Sequence, residues 1–144
     1  DPQFKNQGTN EARTSLDGTY HFEFDSEDMI IKLTGRHHFI SDYFLKLVAD
    51  NPDFDAFVKV DDHGHVFTVC FAMRCKYYQE MYEQMDYNYM ERRWINLEWM
   101  VGDYIKKKRQ EGSFKVFYVD KLDVKADNFG SSTCPGAPHN IIFF

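Results

Sequence analysis

Residues 76–110 have the sequence KYYQEMYEQMDYNYMERRWINLEWMVGDYIKKKRQ. Large apolar side chains recur there every three or four residues, which is the spacing of one face of an α-helix. They form two series: Tyr78, Tyr82, Met85 and Tyr89, then Met90, Trp94, Leu97, Val101 and Tyr104. The second series starts one residue out of step, and one residue is about 100° of helix rotation. The stretch predicts one long helical segment that either breaks near residues 86–88 or buries different faces in its two halves.

Three large side chains in this segment lie off its apolar stripes. Met81, Ile95 and Trp99 would need their own cover or would be exposed. Methionine and tryptophan suit binding surfaces because they are large and, for methionine, adaptable. We therefore predict a binding face or homodimer contact at these three residues, with burial in an aromatic-rich core as the alternative.

The rest of the chain alternates strand-like and helix-like patterns around this segment. Strands are expected at 19–24, 29–33, 54–60, 66–75 and 114–124, and a short helix at 36–49. The strand at 66–75 is apolar on both faces, which is typical of a central strand. The sequence predicts an α+β fold: an antiparallel sheet of four to five strands packed against one short and one long helix. The order most resembles a ferredoxin-like βαββαβ arrangement; a helix laid across a curved antiparallel sheet is the competing topology.

Three parts of the chain are expected from composition. Residues 1–17 are polar and predict a flexible N-terminal arm, and residues 18–125 form a single α+β domain. Residues 126–144 form a C-terminal tail that ends in four apolar residues and is expected to dock. A disulfide from Cys134 to Cys75, or to Cys70, would tether that tail. Three reduced cysteines in a cytoplasmic protein are the alternative.

Composition limits the classes of partner. The formal net charge is −6 and aromatic residues make up 17% of the chain. Negative charge disfavours binding to nucleic acid or to anionic membranes. The basic residues 106–109 lie where a helix should end and complement its dipole there; a polyanion-binding patch is the alternative. No apolar run is long enough to cross a bilayer, so no membrane insertion is expected. An N-terminal Asp1-Pro2 fits a secreted protein after signal-peptide removal, and equally a trimmed chain.

Candidate chemistry is sparse. Asp61, His63 and His65 lie in a short turn between two strands, where they could ligate a transition metal or simply form a solvated hairpin turn. Phe71, Tyr78, Tyr82 and Tyr118 are candidates for lining a pocket between the long helix and the sheet. No nucleophile motif or phosphate loop is present, so we predict no catalytic residues and no cofactor.

These observations favour a non-catalytic, secreted binding protein that acts through its aromatic, Met-rich helix face or through homodimer contact. The partner would be another protein or a second copy of the chain. The alternative is a protein that binds a small apolar ligand, or an α+β enzyme without a linear motif, using a pocket between helix and sheet.

Overall fold

The computed structural model describes residues 4–127 and 141–143. Within these residues the fold is mixed α and β. Its helices are α1 (Gln7–His21), α2 (Tyr43–Asp50), α3 (Cys75–Gln84), α4 (Tyr87–Arg93) and α5 (Leu97–Gln110). Its strands are β1 (Met29–Leu33), β2 (His37–Phe39), β3 (Ala56–Val58), β4 (Cys70–Arg74), β5 (Val116–Tyr118), β6 (Val124–Asp127) and β7 (Ile141–Phe143).

The main sheet has the strand order β1-β4-β3-β5, and both of its faces are covered. On one face the side chains of Phe71 and Met73 pack under α1, α3 and α5. On the other face Cys70 and Ala72 pack against α2 and β6. Residues 70–73 are therefore fully buried, which confirms the prediction that this strand is central and apolar on both sides.

The predicted ferredoxin-like order is not confirmed. A helix precedes the first strand, and β3 pairs with β5 in parallel although its pairing with β4 is antiparallel. Three helices also occupy the place of the single long one. β2, β6 and β7 form a second, antiparallel sheet, and β2 together with α2 replaces the helix expected at 36–49.

The segment 76–110 breaks twice. The first break, at Met85 and Asp86, is close to the predicted one, and the Asp86 carboxylate caps α4 by accepting a hydrogen bond from the Tyr89 N–H (2.8 Å). The second break was not predicted. Trp94 ends α4 in the left-handed conformation (φ 52°), and the Asn96 side chain then caps α5.

The N-terminal residues differ most from expectation. Residues 7–17, predicted as a flexible arm, belong to α1, and the strand predicted at 19–24 is wrong because α1 continues to His21. Asn6 anchors this helix at the second break: its side chain accepts from the Gly8 N–H and donates to the carbonyls of Met90 (3.2 Å) and Ile95 (2.8 Å). The Glu11 carboxylate of α1 is ion-paired with Lys32 of β1, whose Nζ also donates to the Thr68 carbonyl.

The C-terminal tail is described only in part. The backbone of β7 pairs with β6, so residues 141–143 are joined to the second sheet. Cys70 and Cys75 are free, buried thiols, and burial raises the pKa of Cys70 to about 12. The predicted disulfide is therefore not formed at either of these cysteines; Cys134, its expected partner, lies outside the described residues. None of the helices in the described ranges has the length and apolar character that crossing a membrane requires.

Candidate functional site

The turn between β3 and β4 is organised by one carboxylate. Asp61 Oδ1 accepts hydrogen bonds from the backbone N–H groups of His65 (2.9 Å) and His63 (2.8 Å), and these bonds lower the pKa of Asp61. Gly64 has a φ of 82°, a conformation that suits glycine. The Asp61 N–H donates to the His65 carbonyl, and the Val60–Val66 bridge closes the hairpin. The predicted hairpin turn is confirmed.

This turn lies directly against α5. The Val66 N–H donates to the Glu98 carbonyl (3.2 Å), and the Thr68 hydroxyl donates to the Glu98 carboxylate (2.9 Å). At Gly102 the two backbones approach so closely that a Cβ would lie 2.7 Å from the Gly64 carbonyl oxygen. Gly102 is therefore required for the contact between helix and turn.

Replacing Gly102 with alanine is expected to destabilise the protein by about 1–3 kcal/mol, because the new methyl group overpacks a backbone contact. The matched control is Gly18→Ala in α1, where a Cβ meets nothing within 4 Å. That change should stabilise by about 0.5–1 kcal/mol, since glycine disfavours helix. Urea denaturation of both variants measures the difference. An equal gain in stability at both positions would contradict the close approach.

A groove of about 670 Å³ runs between this turn and α5. We call it the turn–helix groove. Its lining consists of Val60, His63, Gly64, His65, Val66, Trp99, Gly102, Asp103, Ile105, Lys106, Arg109, Gln110 and Tyr118. Aromatic rings and basic side chains thus share one concave surface.

Of the four basic residues at the end of α5, two are paired with carboxylates and two line this groove. Lys107 pairs with Asp103 (2.6 Å) and Lys108 pairs with Glu80 (3.0 Å). Lys106 and Arg109 line the groove, and no carboxylate in the described part of the chain lies within ion-pair distance of either. The groove therefore offers two cations whose charge is not neutralised by a neighbour.

Arg109 is held in place by an aromatic neighbour. Its Nη1 donates to the Tyr118 hydroxyl (3.0 Å), and its guanidinium carbon lies 5.4 Å from the centre of the Tyr118 ring. Such a contact orients the guanidinium without removing its positive charge. Four of its N–H donors remain for another acceptor, because guanidinium carries five.

A second depression of about 260 Å³ lies on the other side of Trp99. Its lining includes Met85, Tyr89 and Met100. Trp99 and Asp103 line both depressions, and the Trp99 side chain is 41% exposed. Trp99 consequently forms a ridge between a basic groove and a methionine-rich one.

The three residues predicted as a binding face have different environments. Met81 is buried in the core, and Ile95 is half-buried against it. Trp99 alone of the three is exposed. The two helix breaks explain why these three residues do not form one surface. Each break changes the direction of the chain, so the three side chains no longer share the single face that a continuous helix would have given them.

Three of the predicted pocket residues fill the core instead of lining a cavity. The rings of Phe71 and Tyr78 stack at 5.9 Å, and those of Tyr78 and Tyr82 meet edge-on at 4.8 Å. All three are buried, and desolvation raises the pKa of Tyr82 well above its usual value. Tyr118 lies apart from them, in the turn–helix groove.

The residues predicted as metal ligands interact with each other within the hairpin turn. The rings of His63 and His65 are 6.0 Å apart, and His65 Nδ1 is 3.3 Å from Asp61 Oδ2. Among the described residues, no group of three His, Cys, Asp or Glu side chains could hold a metal ion. Asp61 instead accepts backbone hydrogen bonds.

Lys106 and Arg109 were not predicted as groove residues, because the basic run 106–109 was assigned to the helix end, with a polyanion-binding patch as the alternative. Trp99, Gly102, Lys106 and Arg109 are spaced by three, four and three residues. That spacing puts them on one face of a helix, and it is the signal that could have grouped them. No family model matches the sequence, and no curated protein or solved structure shows significant similarity to it.

Proposed function

We propose that this chain is a non-catalytic binding protein whose binding surface is the turn–helix groove and the adjoining Trp99 ridge. Its ligand is a polypeptide segment that carries both aromatic and acidic side chains. The secreted location predicted from the sequence remains a proposal.

The observation that carries this proposal is the pair of cations in the groove. The chain as a whole is acidic, with a formal net charge of −6, yet Lys106 and Arg109 have no carboxylate partner among the described residues. Complementary charge steers a partner to such a patch and disfavours partners of the same sign. Asp103 also lines the groove but pairs with Lys107, so an acidic segment would supply the carboxylates that Lys106 and Arg109 lack.

The aromatic residues define the other half of the ligand. Trp99 and Tyr118 line the groove beside the cations. Tryptophan, tyrosine and arginine are the residue types that contribute most often to binding energy in protein interfaces. The methionines of the second depression provide an adaptable apolar surface on the far side of Trp99. Apolar side chains of the ligand would contact this ridge.

Titration with a fluorescein-labelled synthetic peptide that alternates phenylalanine and glutamate tests the proposal. Binding is expected by fluorescence anisotropy, and the Lys106→Glu/Arg109→Glu variant should bind at least about tenfold more weakly, a loss of about 1.4 kcal/mol. Trp99→Ala should weaken binding similarly. The control is Lys46→Glu/Lys115→Glu, which makes the same change in net charge at exposed positions outside the groove.

Two results would refute the groove as the binding surface. One is absence of binding to the wild-type protein, and the other is equal weakening by the groove variant and by its charge-matched control. A peptide that alternates phenylalanine and lysine checks the sign of the charge preference and should not bind.

A small molecule is a second candidate ligand for the same groove. Its volume of about 670 Å³ lies within the range of about 300–1,000 Å³ that is usual for small-molecule sites. The cations favour a ligand with a carboxylate in place of the apolar ligand that the sequence suggested. Adding sodium phenylacetate to the peptide titration separates the two: displacement at low concentration favours the small molecule, and no displacement favours the peptide.

A further inference from the structure

An aromatic and acidic segment is exposed at the end of α1. Phe22 and Phe24 are 61% and 43% exposed, and their rings lie 5.9 Å apart. Glu23 and Asp25 alternate with them and are exposed. Exposed apolar side chains grouped in this way commonly mark an interaction site. We call residues 22–25 the FEFD segment.

Some carboxylates in and near this segment have a partner and others do not, as was found for the cations of α5. Glu27 pairs with Lys76 (2.5 Å), and Asp28 accepts a hydrogen bond from the Asp25 N–H (2.9 Å). Glu23 and Asp25 have no cation within ion-pair distance among residues that the structure describes. The FEFD segment therefore has the aromatic and acidic composition that the turn–helix groove complements.

We propose that the FEFD segment of one copy of this chain binds in the turn–helix groove of a second copy. This inference rests on the proposed function and names its ligand. Glu23 and Asp25 contact Lys106 and Arg109, while Phe22 and Phe24 contact Trp99 and Tyr118. The contact joins two different surfaces, so two copies either exchange segments in a closed dimer or continue into a larger assembly.

The FEFD segment is short enough to lie along the groove. An extended strand rises about 3.3 Å per residue, so the three steps from Phe22 to Asp25 cover about 10 Å when the segment is extended. An α-helix rises about 1.5 Å per residue, so the distance along α5 from Trp99 to Arg109 is about 15 Å. Phe22 has an extended backbone (φ −106°, ψ 140°), but the segment turns at Glu23, where the Phe24 N–H donates to the Phe22 carbonyl (3.0 Å). Binding in an extended form therefore requires this turn to open.

Sedimentation equilibrium of the full chain over a concentration series tests the proposal. The wild-type protein should show an average mass that rises with concentration, and salt should weaken association because exposed charges are screened. Lys106→Glu/Arg109→Glu and Glu23→Lys/Asp25→Lys should each lower the association constant at least about tenfold. Circular dichroism verifies that each variant is folded.

Mixing the two charge-reversed variants is the decisive measurement. The acidic groove of one then faces the basic segment of the other, so association should return in the mixture although each variant alone is monomeric. A variant that had merely been damaged would not be rescued. The control Lys46→Glu/Lys115→Glu should associate as the wild type does.

The result that overturns self-association is a wild-type chain that stays monomeric at every concentration, or a mixture that does not associate. Binding of the synthetic Phe/Glu peptide separates this failure from failure of the proposed function. If that peptide binds the groove while the wild-type chain remains monomeric, the binding function stands and the occupant is another protein.

Discussion

Phe57→Ala is expected to destabilise the protein by about 3–5 kcal/mol. The Phe57 side chain is fully buried in β3, where its ring stacks on Phe117 at 5.5 Å and contacts Phe54 at 6.0 Å. Alanine would leave a cavity between the sheet and α2, whose Phe44 packs in the same cluster. Because domains are stable by only about 5–15 kcal/mol, the loss is a large fraction of the total.

The free energy of unfolding, measured by urea denaturation, checks this value. Phe22→Ala is the matched control, since it removes the same side chain from an exposed position. At concentrations where the chain is monomeric, its effect should lie within about 0.5 kcal/mol of zero. If the two variants were equally stable, Phe57 could not be packed as described.

Arg74→Met is expected to cost about 3 kcal/mol, because it leaves a largely buried carboxylate without its cation. Arg74 Nε donates to Asp55 Oδ1 (3.0 Å), and the two side chains are only 17% and 13% exposed. The guanidinium also donates to the carbonyls of Glu27 and Pro52. Arg74 thus joins the end of β4 to two loops.

A double-mutant cycle with Asp55→Ala separates the pair from its surroundings. The double variant should lose less free energy of unfolding than the sum of the two single variants, since each single change already breaks the same ion pair. Lys46→Met is the surface control: its pair with Asp42 is well exposed, so its loss should change the free energy of unfolding much less than Arg74→Met does. Strict additivity of Arg74→Met and Asp55→Ala would show that the pair makes no net contribution.

The central sheet could be predicted from the sequence because its signals are local. The apolar faces of residues 66–75 predicted a buried strand, and the short polar turn that holds Asp61, His63 and His65 predicted the hairpin. The break at Asp86 could also be predicted, because the spacing of apolar residues along the segment shifts by one residue close to it. In each case the pattern depended on neighbours in the sequence.

The missed elements depend on contacts between distant residues. The buried positions of α1 are Thr9, Ala12 and Thr19, which are small or polar and give no apolar stripe. The aromatic alternation of residues 20–24 suggested a strand, yet Tyr20, Phe22 and Phe24 are exposed. No glycine or proline lies at the break at Trp94, so the sequence gives no local signal for it. It is held by Asn6, far away in the sequence.

The groove was missed for the same reason. The four cations were visible in the sequence, and so was the i,i+4 partner of Lys107, but the partner of Lys108 and the groove beside Lys106 and Arg109 depend on distant residues. Lys107 and Lys108 are neutralised by Asp103 and Glu80, whereas Lys106 and Arg109 face the groove. The pair of Lys108 with Glu80 depends on the packing of α3 against α5, and the groove that Lys106 and Arg109 line depends on the packing of the turn against α5.

The ion pair of Lys32 with Glu11 also affects the outer edge of the main sheet. β1 is an outer strand of the main sheet, and a free strand edge is a template on which another chain can add. Lys32 lies within this strand with its side chain only 9% exposed, turned inward beneath α1. An inward-pointing charged side chain on an outer strand is one of the features by which natural sheets disfavour pairing with another chain. One buried charge therefore makes the edge costly to extend, and guards the fold against strand-by-strand aggregation.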